Sequence, residues 1–291
     1  MGPPALVGRG RSWVDRRLDD PMTATAPCDE LTAILSGPDP RPALWEAIDS
    51  GRMAELVPEL PALRMEQDPI HRHKDVLAHT VAVVGKTPDD LVVRLAALFH
   101  DIAKPRTRSY EHGGVTFRHH EAVGARMTRR RLTELGYPDD IVNDVSELVR
   151  LSGRFKGYAE GWSDSAVRRY ARDAGHLLGR LNTLVRCDCT TRNRGKAEAL
   201  QRQVDDLERR IAELAEADRR AAERPQLDGE AVMAHLGIGP GPAVGEALRF
   251  LLDLKRREGE LPDDEIRRRL DEWWLSRRGG AAPPPTHADV R

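Results

Sequence analysis

Apolar residues recur three and four positions apart through most of the chain from Asp29 onward. The segments DELTAILSG (29–37), PALWEAIDSGRMAELVPEL (42–60), DVLAHTVAVVG (75–85), DDLVVRLAALFHDIA (89–103) and HHEAVGARMTRRRLTELG (119–136) each close on glycine, proline or polar turns, which predicts amphipathic helices. On the helix predicted from Leu91 to Ala103, Leu91, Leu95, Leu98 and Ile102 form one apolar stripe, widened by Phe99. Between Lys196 and Glu223, Leu200, Val204, Leu207, Ile211 and Leu214 alternate four and three apart. That seam lasts only about two heptads, which favours packing on the chain's own body over a dimer zipper. A small helical tail is expected from Pro225 to Arg278, and GGVTF (113–117) is the one strand-like run, too short to seed a sheet. The expected fold is therefore all-α.

Charge narrows the function classes. With 46 Lys and Arg against 47 Asp and Glu, the chain has no overall pull toward nucleic acid or membrane, so any basic patch must be local. Three cysteines are too few for a disulfide framework, which favours a reducing compartment. No apolar run approaches the roughly 18 residues that span a bilayer, and the first residues lack the apolar middle of a signal peptide, so a cytoplasmic protein is expected. Residues 1–28 and 279–291 mix Gly, Pro and charged residues without periodicity and read as disordered ends.

Candidate chemistry begins at His100 and Asp101, adjacent where an apolar helix reaches its end. Imidazole and carboxylate together suit a divalent ion such as Mn, Fe, Co, Ni or Zn, and Lys104 nearby can offset phosphate charge. The alternative is a surface pair at a helix end, where a histidine suits the helix dipole. Three further stretches favour the metal. His79 lies on a helix whose Val76, Leu77, Val81 and Val84 face inward; His119 and His120 open another helix; Asp188 closely follows Leu184 and Val185 in a helix shaped to be buried. A buried carboxylate needs a partner, and an ion is one.

The ordered set His79, His100-Asp101, Asp188 resembles the H…HD…D pattern of the HD superfamily of metal-dependent phosphohydrolases. More narrowly, LPALRMEQDPIHRHKDVLAHT, AALFHDIAKPRTR, HHEAVGARM, WSDSAVRRYARDAG, LVRCDCTTRNRGKAEAL and LDGEAVMAHLGIGPGPAVGEAL occur in the order found in the C-terminal region of bacterial CCA-adding tRNA nucleotidyltransferases that carry an HD motif. The resemblance implies a neck-like segment (29–70), an HD domain (71–195), and a long helix with a helical tail (196–278). That family's nucleotidyl transfer depends on an N-terminal α/β head with a carboxylate pair, which residues 1–28 are too short to hold; Asp19 and Asp20 read as solvated charges. The chain alone is therefore not expected to add CCA.

By the same resemblance, His79, His100, Asp101 and Asp188 are the primary metal ligands, and His120 is a ligand for a second ion. Where the family often carries histidines in a block like LVYLHLRFHGY, this chain reads LVRLSGRFKGY, with Ser152 and Lys156 in the histidine places. A single ion, or a weak second site, is expected. The implied activity is metal-assisted hydrolysis of phosphomonoesters, 2′,3′-cyclic phosphates or nucleotides, including RNA ends, with Asp101 orienting the attacking water and Lys104 steadying the phosphate; Mg joins the ions to be considered. The alternative is a non-catalytic tRNA-binding module, or one half of a split CCA-adding enzyme whose head is a separate chain.

Arg129 and Arg130, Arg168 and Arg169, and Arg192 and Arg194 are the arginines for RNA contact, with Tyr170 available for stacking. Against them stands the ordinary reading of such runs as solvated faces balanced by acids. LGIGPGPAVG follows a helix rather than a strand, so it fails as a dinucleotide fingerprint and reads as a helix-turn-helix corner. Trp273 and Trp274 are expected to pack the tail, and Cys187 and Cys189 to belong to the core rather than to zinc.

Overall fold

The computed structural model describes residues 26–65, 75–111 and 114–277. The expected disordered ends lie outside the described residues except for residues 26–28, where Pro27 and Cys28 open the first helix and Cys28 is buried. The chain divides into two compact units, with the division after Ile211, inside a long helix.

The first unit is helical: α1 (Pro27–Leu35), α2 (Arg41–Asp49), α3 (Arg52–Leu56), α4 (Val76–Val84), α5 (Leu91–Phe99), α6 (Lys104–Thr107), α7 (His120–Leu135), α8 (Asp139–Leu151), α9 (Asp164–Ala174), α10 (Leu178–Asp188) and the start of α11 (Arg194–Ala222), with short 3-10 turns between some of them. α5 is its centre. Every residue from Val92 to Phe99 is buried, and α5 packs against α1, α4, α8 and α10. The helix is wrapped all round rather than on one stripe, which a helix reaches only in the middle of a core. Even Arg94 is 1% exposed; its guanidinium donates to the carbonyls of Leu35 and Gly37, both at 2.6 Å, and pairs with Asp89.

α7 and α8 form a helical hairpin. Gly136, at φ 87°, ends α7 in the left-handed conformation that glycine adopts without a Cβ penalty; the Tyr137 N–H then closes on the Leu132 carbonyl, and Asp139 starts α8 behind Pro138. The seam of α11 buries Val204 and Leu207, and its polar edge ties back within the unit through Asp206 to the Tyr158 hydroxyl and Glu208 to Asn182.

Two local expectations are corrected. The helix predicted through Ala103 stops at Phe99; residues 101–103 turn, and α6 restarts at Lys104 with Pro105 in its first turn. GGVTF also finds a partner. Strand β2 (Gly114–Phe117) pairs antiparallel with β1 (Arg108–Glu111), whose Arg-Ser-Tyr-Glu sequence carries no strand signal of its own. This two-stranded ribbon is the only sheet among the described residues and leaves the all-α class intact.

The second unit contains the end of α11, α12 (Gly229–Leu236), α13 (Pro242–Glu258) and α14 (Asp263–Arg277). Val232, Leu236, Ala247, Leu251, Ile266, Leu270 and Trp274 form its core, with Trp273 packed at its edge. The glycine-rich corner is the helix-turn-helix connection expected: Gly237 caps α12 at φ 64° and Pro242 opens α13.

Candidate metal centre

The break after α5 sets the site. His100 is the C-cap of α5, and its Nδ1 donates to the Ala97 carbonyl (2.7 Å), one of the acceptors a helix end leaves without a partner. That bond fixes the ring with Nε2 pointing away from the helix. His79, one turn into α4 behind the Asp75 N-cap, shares a hydrogen bond through Nδ1 with the Thr190 hydroxyl (2.9 Å) just beyond α10. His120, the first residue of α7, donates Nδ1 to the Phe117 carbonyl (2.8 Å). All three imidazoles are thus held by Nδ1 and present Nε2, the arrangement in which a neighbouring acceptor orients a metal-binding imidazole.

The three Nε2 atoms face two carboxylates. His79 Nε2 lies 2.9 Å from Asp188 Oδ1, 3.8 Å from Asp101 Oδ2 and 3.3 Å from His100 Nε2. His100 Nε2 lies 3.2 Å from Asp101 Oδ2 and 3.5 Å from Asp188 Oδ1. His120 Nε2 stands on the other side of Asp101, 3.6 Å from Oδ1. Ligand bonds of about 2.1 Å put neighbouring donors about 3.0 Å apart in an octahedron and about 3.4 Å apart in a tetrahedron. The donors of His79, His100 and Asp188 therefore have the spacing of one coordination sphere, and Asp101 Oδ2 borders it through the two imidazoles.

Electrostatics keep the two carboxylates ionised and a proton on His100. Burial works against ionising Asp101, yet the adjacent His100 and the Lys104 ammonium at 2.7 Å hold its carboxyl well below the usual range. Asp188 is likewise held low by His100 and His79 against its desolvation. Burial pushes the His100 imidazole down, but the pull of Asp101 and Asp188 outweighs it and raises the ring to about 10, so a proton bridges the carboxylates where an ion could sit. His120, with weaker partners, is pushed down by burial.

The cluster opens into a cleft of about 460 Å³, with Lys104, Phe117, Ser152, Gly153, Lys156, Cys189 and Thr191 among its lining residues. Lys156 pairs with Glu121 (3.1 Å), and Glu121 in turn approaches His120 Nδ1 (3.3 Å). Ser152 turns its hydroxyl onto the Val149 carbonyl. His119 is exposed at φ 61°, a left-handed bend that swings the chain so that His120, not His119, starts α7 facing the cleft.

The residues expected from the sequence converge, with two corrections of setting. Asp188 is not buried: its side chain is 47% exposed at the mouth of the cleft, because it ends α10 instead of lying within it. Tyr170 is not free to stack on RNA; it is buried, with its hydroxyl on Asn182. Among the arginines, Arg130 pairs with Glu134, Arg194 with Glu198, and Arg129 donates to the Asn143 amide oxygen, while Arg168, Arg169 and Arg192 are exposed. Thr190, which sets the His79 ring, was not anticipated; its place two residues after Asp188 is the only sequence signal for it.

Residues 75–223, half of the chain, match the family described as HD domain. The chain belongs to the HD-domain family. An A-adding tRNA nucleotidyltransferase of Deinococcus radiodurans is 34% identical over 237 residues, 78% of this chain and 53% of that protein. A CC-adding tRNA nucleotidyltransferase of Thermus thermophilus is 32% identical over 267 residues, 89% of this chain and 59% of its own length. The chain thus spans between half and three-fifths of the length of these relatives. Among the described residues, no helix is long and apolar enough to cross a membrane.

Proposed function

We propose that this HD domain is a metal-dependent phosphohydrolase, with a divalent ion held by His79, His100, Asp101 and Asp188. The observation that carries the reading is the common orientation of three imidazoles, each tethered at Nδ1 and presenting Nε2 to Asp101 or Asp188. Such an ion, from among Mn, Co, Ni, Fe, Mg and Zn, supplies Lewis acidity to a phosphoryl oxygen and acidifies a bound water. The residues do the remainder. Asp101, kept ionised by Lys104, orients the attacking water from the floor of the cleft. With the His100 proton displaced, two carboxylates and one ammonium sum to −1, so a divalent ion brings the centre to +1 and attracts an anionic ester. Lys104 and Lys156, on the cleft lining, add to that attraction. The substrate class is phosphomonoesters, 2′,3′-cyclic phosphates or nucleotides, including those at RNA ends.

The test is elemental analysis of the purified protein beside Asp101→Ala, with hydrolysis of a cyclic phosphate and a monoester assayed in Mn, Co, Ni or Mg. Stoichiometric metal and turnover that both vanish in the variant are expected. A wild type that stays metal-free and inert in all four ions ends the reading.

The curated relatives support a second reading: a tRNA-binding module, or the body and tail of a split CCA-adding enzyme whose nucleotidyltransferase head is a separate chain. Arg129, Arg130, Arg168, Arg169, Arg192 and Arg194, all exposed, would then contact the RNA backbone. Replacing Arg192 by Ala should weaken tRNA binding and lower the slope of log affinity against log salt by about one. Failure of the wild type to bind tRNA even at low salt would remove this reading.

A further inference from the structure

The hairpin that forms one edge of the cleft has two unlike faces. Ser109 stands opposite Thr116, and their hydroxyls bond at 2.7 Å, which marks one face as self-satisfied. On the other face Arg108 stands opposite Phe117, and Tyr110 opposite Val115. Phe117 lines the metal cleft, with the Lys104 ammonium 5.6 Å from its ring centre. The Arg108 guanidinium lies 5.1 Å from the centre of the Tyr110 ring. One face therefore runs outward from the metal centre as cation, aromatic, cation, aromatic: Lys104, Phe117, Arg108, Tyr110.

Two further observations mark the outer end as unfinished. Tyr110 is 70% exposed, the one exposed large hydrophobic side chain among the described residues. Arg108 Nε is buried without an acceptor among them. A ring open to solvent offers a stacking face, and the Arg108 guanidinium against that ring sets a positive charge beside it; phosphate next to an unsaturated ring is the ligand that suits both. Tyr110 lies two residues along the strand from the Arg108–Phe117 pair, about 7 Å, which is the scale of a nucleoside.

We propose that this face is a nucleoside ledge: the ester presented to the metal centre is that of a nucleotide, its base stacked on Tyr110 and a phosphate oxygen received by Arg108. This assignment rests on the phosphohydrolase reading for its position beside the metal, but its test does not depend on turnover.

Binding of adenosine 5′-monophosphate and of inorganic phosphate is measured by calorimetry, in Mn, for wild type, Tyr110→Phe and Tyr110→Ala; hydrolysis of the nucleotide and of glycerol 2-phosphate is followed on the same samples. Tyr110 is exposed, so both variants should fold, which their melting temperatures check. Nucleotide binding should weaken about tenfold or more in Tyr110→Ala and persist in Tyr110→Phe, with phosphate binding unchanged. If the nucleotide binds wild type and Tyr110→Ala equally, or does not bind wild type, the ledge is wrong. If Tyr110→Ala loses binding while no protein hydrolyses either ester, the ledge stands and the phosphohydrolase reading falls. If both esters are hydrolysed equally by wild type and Tyr110→Ala, the reverse holds.

Discussion

His79 and His100 bring their Nε2 atoms to within 3.3 Å of each other across the gap between α4 and α5, while each Nδ1 is spent on a fixed hydrogen-bond partner. Two such nitrogens can share a proton or an electrophile but gain nothing from each other when both are bare. With Asp188 Oδ1 2.9 Å from one and 3.5 Å from the other, the arrangement is one that a small cation completes.

The tether on His79 is the easiest to cut without touching a proposed ligand. In Thr190→Val the Nδ1 partner is lost and the His79 ring gains a second orientation. Metal affinity should fall about 10- to 100-fold, the usual cost of removing such an orienting partner, with the fold unchanged by circular dichroism. Unchanged affinity would mean that His79 is set by packing alone.

The pH dependence has a defined sign. With His100 raised to about 10, the metal-free site holds a proton at neutrality, and an ion must displace it. Apparent affinity should rise about tenfold per pH unit from neutrality toward 10, and calorimetry in buffers of different ionisation heat should give about one proton released per ion. Stability of the metal-free protein follows the opposite course on the alkaline side. The His100 contribution is full below its ordinary 6.5 and is lost as pH rises through about 10; those of Asp101 and Asp188 are full above their ordinary 3.8 and are lost as pH falls below it. The cluster's stabilisation of the metal-free chain should therefore be greatest between 3.8 and 6.5. A melting temperature that is flat across both limits would count against this coupling.

The helices were legible because period is a local property of the sequence, and His79, His100, Asp101 and Asp188 stood out through their resemblance to the ordered pattern of the HD superfamily. What was hidden is where a local rule yields to its neighbours. α5 ends at Phe99 and the chain restarts as α6 at Lys104, and that break lets His100 and Asp101 face one space. The β1 strand exists only because β2 pairs with it, so no pattern announces it. Tyr170 looks like a stacking platform in a basic segment, but Asn182, twelve residues on, takes its hydroxyl into the core.

Arg94 is expected to govern stability rather than chemistry. Its guanidinium satisfies the carbonyls of Leu35 and Gly37 inside the core, so Arg94→Met leaves buried acceptors without a donor. The expected loss is on the order of 3 kcal/mol, read from the denaturant midpoint at constant m-value, with the metal stoichiometry of the folded fraction unaltered. A loss under about 0.5 kcal/mol would show that water replaces the guanidinium at these carbonyls.

The proposed centre should take one ion, because of what faces His120. Asp101 turns Oδ1 toward His120 Nε2 as if to share a second cation, but the wall beyond offers the Lys156 ammonium and the Ser152 hydroxyl instead of further imidazoles. Lys156 already supplies a positive charge there, held by Glu121, and a second divalent ion would meet repulsion with only two protein donors. Replacing both residues by histidine, Ser152→His with Lys156→His, removes that charge and adds two nitrogen donors beside His120. Metal content should rise from one ion per chain toward two, while Lys156→Ala alone, which removes the charge without adding a donor, should stay at one. Two ions in the unaltered protein would show that His120, Asp101 and Glu121 suffice, and would return Lys156 to the role of a surface charge.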